Sequence, residues 1–253
     1  MDIERLKKEY RLRYDHHPHP IYSRVGPYLH GKGRIIDNAR AAAKKGLDSL
    51  AITDHGPSDF YGLSLKRLTD MRRDIAKAKL TFPKLKVYLG VEADIVDSPN
   101  GLDVSPADFG KFDFVNAGYH YVPRCHMIHN WLSFHLPWPG FLCRKMRKQN
   151  TERIVKALKN NDVNILTHPG DKAFIDEHAV AKACEETGTL VEINARHRHP
   201  DADDLRIYKQ YGVNFVISSD AHRPKHVGRY AESLALALEA GIDPERIVNI
   251  EKR

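Results

Sequence analysis

The chain has 253 residues, enough to bury a sizeable core in one large α/β domain. Its longest apolar run falls well short of the ~20 residues that span a bilayer, and its opening stretch "MDIERLKKEYRLR" is charged, so neither a membrane helix nor a secretory leader is expected and the expected location is cytoplasmic. Cys125, Cys143 and Cys184 are odd in number and widely spaced, against a disulfide framework, while a formal net charge of +7 favours acidic ligands such as phosphate.

In chain order, seven short β-rich runs stand out: "RLRYDHH" (11–17), "LDSLAITDH" (47–55), "KVYLGVE" (86–92), "FDFVNAGYH" (112–120), "VNILTH" (163–168), "TLVEIN" (189–194) and "VNFVISSDAH" (213–222). Most are apolar on both faces, as parallel strands covered by helices are. Helical patterns fall at 34–46, 64–80, 149–161, 176–188, 201–212 and 231–241, several closing on glycine. The alternation predicts a distorted (β/α)7 TIM-like barrel in a single domain, 1–253.

The chemistry sits where these runs end. They finish on His17 and His19, His55, Glu92, His120, His168, Asn194, and Asp220 with His222. All but Asn194 are strong metal-ligand types. A (β/α) barrel gathers its carboxyl strand ends at one mouth, so residues far apart in sequence become neighbours there. Positions i and i+2 of a strand share a face, which turns Asp15, His17 and His19 inward together and His16 away. His17 and His19 are therefore expected as ligands. Asp15 is expected to hold an imidazole in one tautomer, and His16 to be a packing histidine.

The motifs "HPH" (17–19), "TDHGP" (53–57), "GVEADI" (90–95), "AGYH" (117–120), "THPG" (167–170), "VEIN" (191–194) and "SSDAH" (218–222) resemble, in order and over nearly the whole chain, those of the PHP (polymerase and histidinol phosphatase) superfamily. The likeness is greatest to its small stand-alone phosphatases with a trinuclear metal centre. It adds one ligand that the strand ends do not indicate, His30 in "YLHGKG". It implies His17, His19, Glu92 and Asp220 around one metal, Glu92, His120 and His168 around a second, and His30, His55 and His222 around a third. Two positions depart from the pattern: His16 replaces a common leucine, and Pro20 a small hydroxyl residue.

Two carboxylates against three divalent ions leave a formal charge of about +4 in the mouth, a site for an anion. Nitrogen-rich ligation suits zinc best, with iron or manganese as alternatives. The implied reaction is phosphate-ester hydrolysis by a metal-bridging hydroxide, with Glu92 shared between ions and Asp220 orienting the nucleophile. Arg196, in "NARHRHP", stands where a guanidinium can grip phosphate. His178, His197, His199 and His226 have no motif and are read as surface or capping residues.

The stretch 121–148 is long for a βα loop, aromatic and then basic, and is read as a lid-like insertion at the catalytic mouth. The expected activity is a phosphomonoesterase acting on a small phosphorylated metabolite, with histidinol phosphate as one candidate. A nuclease or phosphodiesterase using the same metals is the second reading. A metal-stabilised scaffold is the third. No membrane partner is expected, nucleic acid is not favoured, and an oligomer is compatible with the sequence.

Overall fold

The computed structural model describes residues 2–25, 28–120 and 140–253. Seven parallel strands, β2 (Tyr14–Asp15), β5 (Ser49–His55), β6 (Lys86–Asp94), β7 (Phe114–Gly118), β8 (Ile165–Leu166), β9 (Leu190–Asn194) and β10 (Phe215–Ser218), lie side by side in that order. The two edges meet through a parallel bridge between Pro18 and Ala221, where the His19 N–H donates to the Ala221 carbonyl at 2.9 Å. The sheet is thereby nearly closed, the distorted barrel that the alternation predicts.

Apolar side chains cover the helix-facing side of these strands, while the inner side turns polar toward the mouth with Thr53, Glu92 and Asn116. Leu50, Ile52, Val87, Val91, Ile193 and Ile217 are all buried. Helices α2 (Ile35–Lys44), α3 (Leu68–Thr81), α5 (Gly140–Asn160), α6 (Glu177–Thr187), α7 (Ala202–Tyr208) and α8 (Ala231–Glu239) follow the strands. Short helices α1 (Ile3–Glu9) and α4 (Pro106–Phe109) and a small β3–β4 ribbon (Arg24–Val25 with Tyr28–Leu29) complete the described elements, with three 3-10 turns. No helix among the described residues is long and apolar enough to cross a membrane.

The expected first strand, 11–17, is two pieces. β1 (Tyr10–Leu12) pairs antiparallel with β11 (Ile250–Lys252), and the chain then changes partner so that β2 runs parallel to β5. Beyond Asp15 the ladder stops, because Pro18 and Pro20 lack the N–H that a central strand must donate. The helix expected from residue 149 begins at Gly140, so 140–148 are its first turns and no part of a loop. The remainder of the expected insertion, 121–139, lies outside the described residues.

His16 packs between the rings of Tyr14 (4.3 Å) and Phe114 (4.4 Å), with Nε2 3.0 Å from Ser49 Oγ. Burial lowers its pKa to about 3. The unfolded chain therefore takes up a proton near pH 6.5 that the folded protein refuses until about pH 3. This contribution to stability is present above pH 6.5 and lost as pH falls, by at most about 1.4 kcal/mol per pH unit. His16→Phe is expected to flatten that acid limb when urea unfolding is compared at pH 7 and pH 5. Equal loss in both proteins would assign the limb to other groups.

Candidate metal centre

Strand register assembles the site. β5 and β6 pair so that His55 stands beside Glu92, and β9 and β10 so that Asn194 stands beside Ser218. His120, His168, Asp220 and His222 lie beyond the last paired residues of β7, β8 and β10, on the turns rather than the strands proper. His168 (φ 29°) and Asp220 (φ 47°) are the two non-glycine residues with positive φ among the described residues. Such backbone costs of order 1–3 kcal/mol per residue and gathers at functional sites.

Glu92 is the centre. Its Oε1 lies 3.1 Å from His17 Nε2, 3.4 Å from His120 Nε2 and 3.0 Å from His168 Nε2, and accepts a bond from Thr167 Oγ1 at 2.7 Å. Its Oε2 lies 3.4 Å from His19 Nε2 and 3.3 Å from His55 Nδ1. Gly118 makes room for this: a Cβ there would stand 2.7 Å from Glu92 Oε1 and 2.6 Å from the His120 ring. Asp220 Oδ1 faces His19 Nε2 at 3.3 Å, and His30 meets His222 with their Nε2 atoms 2.6 Å apart.

All nine residues expected as ligands thus converge on one mouth. Their donor atoms cluster within 4.8 Å as His17–His19–Glu92, His17–His168–Asp220, His19–His55–His222 and His55–Glu92–His120. His55 takes part in two of these clusters, and His168 groups with Asp220 as well as touching Glu92. The division into three ligand sets is therefore less sharp here than the family pattern implies.

Buried carboxylates aim the imidazoles. His17 Nδ1 donates to Glu192 at 2.6 Å, which turns Nε2 toward Glu92, and Glu192 also accepts the His168 backbone N–H at 2.8 Å. His120 Nδ1 donates to Asp94 at 2.6 Å. Burial opposes charge on His17, but Glu192 and Glu92 outweigh it and hold its pKa well above the ordinary value. For His120, burial is likewise outweighed, by Glu92 and Asp94. Burial wins at His19, lowered to about 3, and at His30, lowered to about 4; it also holds His55 well below its ordinary value. Burial raises Glu92 and Asp220, yet histidines around each keep both carboxyls well below the usual range.

Two expectations are corrected. Asp15 touches no imidazole. It accepts from the backbone N–H of Ser219 (3.1 Å) and Gly228 (2.8 Å) and from Ser219 Oγ, pinning the turn that carries Asp220. The tautomer-setting role expected of it belongs to Glu192, because β2 ends at Asp15 and the strand alternation does not continue through His17. His197 is not a surface residue: it lies between Asp171 (2.8 Å) and Asp220 (2.9 Å) and faces the His168 ring at 4.6 Å. The β9 turn folds it back, with its N–H donating to Asn194 Oδ1 at 3.0 Å.

Sequence reasoning also missed Asp94 and Glu192 as acceptors. Both sit two positions from a residue it singled out, Glu92 and Asn194, and share that residue's face. Arg196 lies at the rim, its Nη1 3.4 Å from Asp220 Oδ1 and 3.3 Å from His222 Nε2. Arg198 is exposed and touches the site only through its N–H, at 3.3 Å from Asp171. His199 bonds Asp204 at 2.8 Å, beside the N-cap of α7. The mouth opens as a cavity of about 300 Å³ lined by His55, His120, His168, Lys172, Arg196 and Asp220 among others.

Comparison with known proteins agrees with this architecture. A probable phosphatase of Thermoanaerobacter sp. is 30% identical over 256 residues, covering 95% of this chain and 91% of the relative. One of Acetivibrio thermocellus is 27% identical, covering 93% and 90%. Among solved structures, the histidinol phosphate phosphatase of Lactococcus lactis, complexed with zinc, L-histidinol and phosphate, superposes with a TM-score of 0.61 at 18% identity, over 91% of this chain and 94% of that one. An archaeal ribonuclease P chain shares the fold with a TM-score of 0.54 at 15% identity, over 89% and 85%. The PHP domain model matches residues 15–219, most of the strands and seven of the nine gathered residues within its span, and the chain belongs to the PHP domain family.

Proposed function

We propose that this chain is a metal-dependent phosphomonoesterase for small phosphorylated metabolites. Phosphate-ester hydrolysis is the activity named for its relatives, and the gathered donor set supports it here. One observation carries the metal: His17 Nε2, both ring nitrogens of His19 and of His55, and Glu92 Oε2 are buried without a hydrogen bond. Orphaned polar atoms at such density cost several kcal/mol unless something binds them. Divalent ions fit that description, and the donors suit zinc, with iron or manganese as alternatives.

His17, His19, Glu92 and Asp220 would hold one ion, Glu92, His120 and His168 a second, and His30, His55 and His222 a third. When bound, such ions supply a water of lowered pKa and a Lewis acid for the phosphoryl group. The protein does the rest. Thr167 and Gly118 seat Glu92, Glu192 and Asp94 aim the rings, and Asp220 is placed to orient the attacking water. Arg196 and Lys172 present cationic charge to the phosphoryl oxygens. The small mouth favours a phosphomonoester of modest size over a polymer. Histidinol phosphate is one such substrate, and the nuclease or phosphodiesterase reading is the alternative.

Metal-loaded protein offered p-nitrophenyl phosphate, bis-p-nitrophenyl phosphate and labelled single-stranded DNA is expected to hydrolyse the monoester preferentially. Turnover of only the diester or the polymer would overturn the proposal. Arg196→Ala is expected to raise KM for the monoester about 10- to 100-fold, the worth of a hydrogen bond to a charged group. Metal content, read by elemental analysis, should stay unchanged. A variant with unaltered KM would remove Arg196 from phosphate binding.

A further inference from the structure

The reaction cavity has one aromatic wall. Among its described lining residues all but one are imidazoles, carboxylates or cations; Tyr61 alone brings a phenol ring. That ring lies flat against His30, 4.4 Å between centroids at an angle of 8°. On its other sides it meets Tyr28 at 5.7 Å and Phe60 edge-on at 5.4 Å. Tyr28 and Phe60 are 58% and 62% exposed, two of the five large hydrophobic side chains exposed among the described residues.

The loop that carries Phe60 and Tyr61 is tied down. Leu63 N–H donates to the His55 carbonyl at 2.9 Å, Gly62 N–H to the Asp59 carbonyl at 2.9 Å, and Tyr61 N–H to Asp59 Oδ1 at 3.2 Å. The rings are therefore held at a fixed place beside His55, at the edge of the cavity. Two exposed rings flanking the half-buried Tyr61 are a standing cost unless a ligand covers them.

We propose that Tyr28, Phe60 and Tyr61 form a stacking platform for a planar ring on the alcohol portion of the substrate, so that the substrate class is a phosphomonoester bearing an aromatic or heteroaromatic ring. The proposal rests on the phosphomonoesterase reading. A phosphoryl group between Arg196, Lys172 and the gathered histidines leaves the rest of the molecule at the rim, where Tyr61 is the shared wall. A protein partner is a poorer occupant: three side chains offer far less than the roughly 800 Å² per partner of a stable protein interface. One ring system matches the platform in size, and ring stacking tolerates a range of heterocycles.

The test compares benzyl phosphate with cyclohexylmethyl phosphate, alcohols alike in size and reactivity that differ in whether the ring is planar. The metal-loaded enzyme is expected to favour benzyl phosphate about 2- to 12-fold in kcat/KM, mainly through KM, the range typical of one aromatic contact beyond the area it buries. Phe60→Ala and Tyr28→Ala should each shrink that ratio several-fold, and Phe60→Trp should preserve it. No preference in the native enzyme, or a ratio untouched by both alanine variants, would overturn the platform. Binding is read separately, as competition by benzylphosphonate against methylphosphonate. If neither ester were hydrolysed the phosphomonoesterase reading would fall, while a preference for benzylphosphonate that Phe60→Ala abolishes would still support the platform.

Discussion

Glu92→Gln is expected to lower phosphate-ester hydrolysis by about 10³-fold or more, because it removes the one carboxylate that five imidazoles face and replaces half of it with a donor. The two oxygens of Glu92 divide their neighbours: His17, His120 and His168 approach Oε1, whereas His19 and His55 approach Oε2. A single atom change therefore disturbs both halves of the donor set. Glutamine keeps the size and shape of the side chain, so the barrel, whose core is apolar and lies along the strands, should remain folded. Hydrolysis of p-nitrophenyl phosphate, metal content and thermal unfolding measured together separate these effects. Activity within tenfold of the native enzyme at unchanged metal content would exclude Glu92 as the shared ligand.

Chelation is expected to abolish hydrolysis and to lower Tm by about 8–16 °C. The estimate takes ions at about 1,000 times Kd, which stabilise by about 4 kcal/mol, and a shift of about 2–4 °C per kcal/mol for a chain of this size. Readdition of zinc, iron(II) or manganese(II) should restore both properties and rank the metals. Loading should also release protons. Burial resists charge on His17 and His120, but their carboxylate partners hold both above the ordinary histidine pKa, so without metal they keep a proton near neutrality. The stability those ion pairs lend the metal-free protein is present below pH 6.5 and lost as pH rises through the raised values. Metal must displace the same protons, so its affinity should fall with acid and proton release in a pH-stat should be greater at pH 6 than at pH 9. Unchanged Tm and activity after complete chelation would remove the metal from the proposal.

The convergence of these side chains was legible in the sequence for a physical reason. A parallel barrel repeats one unit, and each repeat delivers its carboxyl end to the same mouth, so histidines and acids at the ends of apolar runs announce a common site before any coordinates exist. His30 escaped that logic because it follows the short β3–β4 ribbon rather than a barrel strand, and only the family resemblance indicated it. Boundaries were less legible. Strand 11–17 divides at Arg13 because hydrogen-bond partners, β11 on one side and β5 on the other, are chosen in space.

The residues around the candidate ligands were decided by the tertiary structure alone. Asp15 and Glu192 are both buried acids near histidines in the folded protein, yet Asp15 caps the Ser219 and Gly228 amides while Glu192 orients His17, a residue 175 positions away. His197 has no motif at all, and the turn after β9 brings it between two aspartates. By itself the sequence determined the barrel and eight of the nine candidate ligands, since these follow from periodicity and residue type at strand ends, while His30 came from the family resemblance. Which acid serves which imidazole, and which aromatic rings border the cavity, depended on strand register and turn geometry, because such partners are set by distances of a few ångströms that no local pattern encodes.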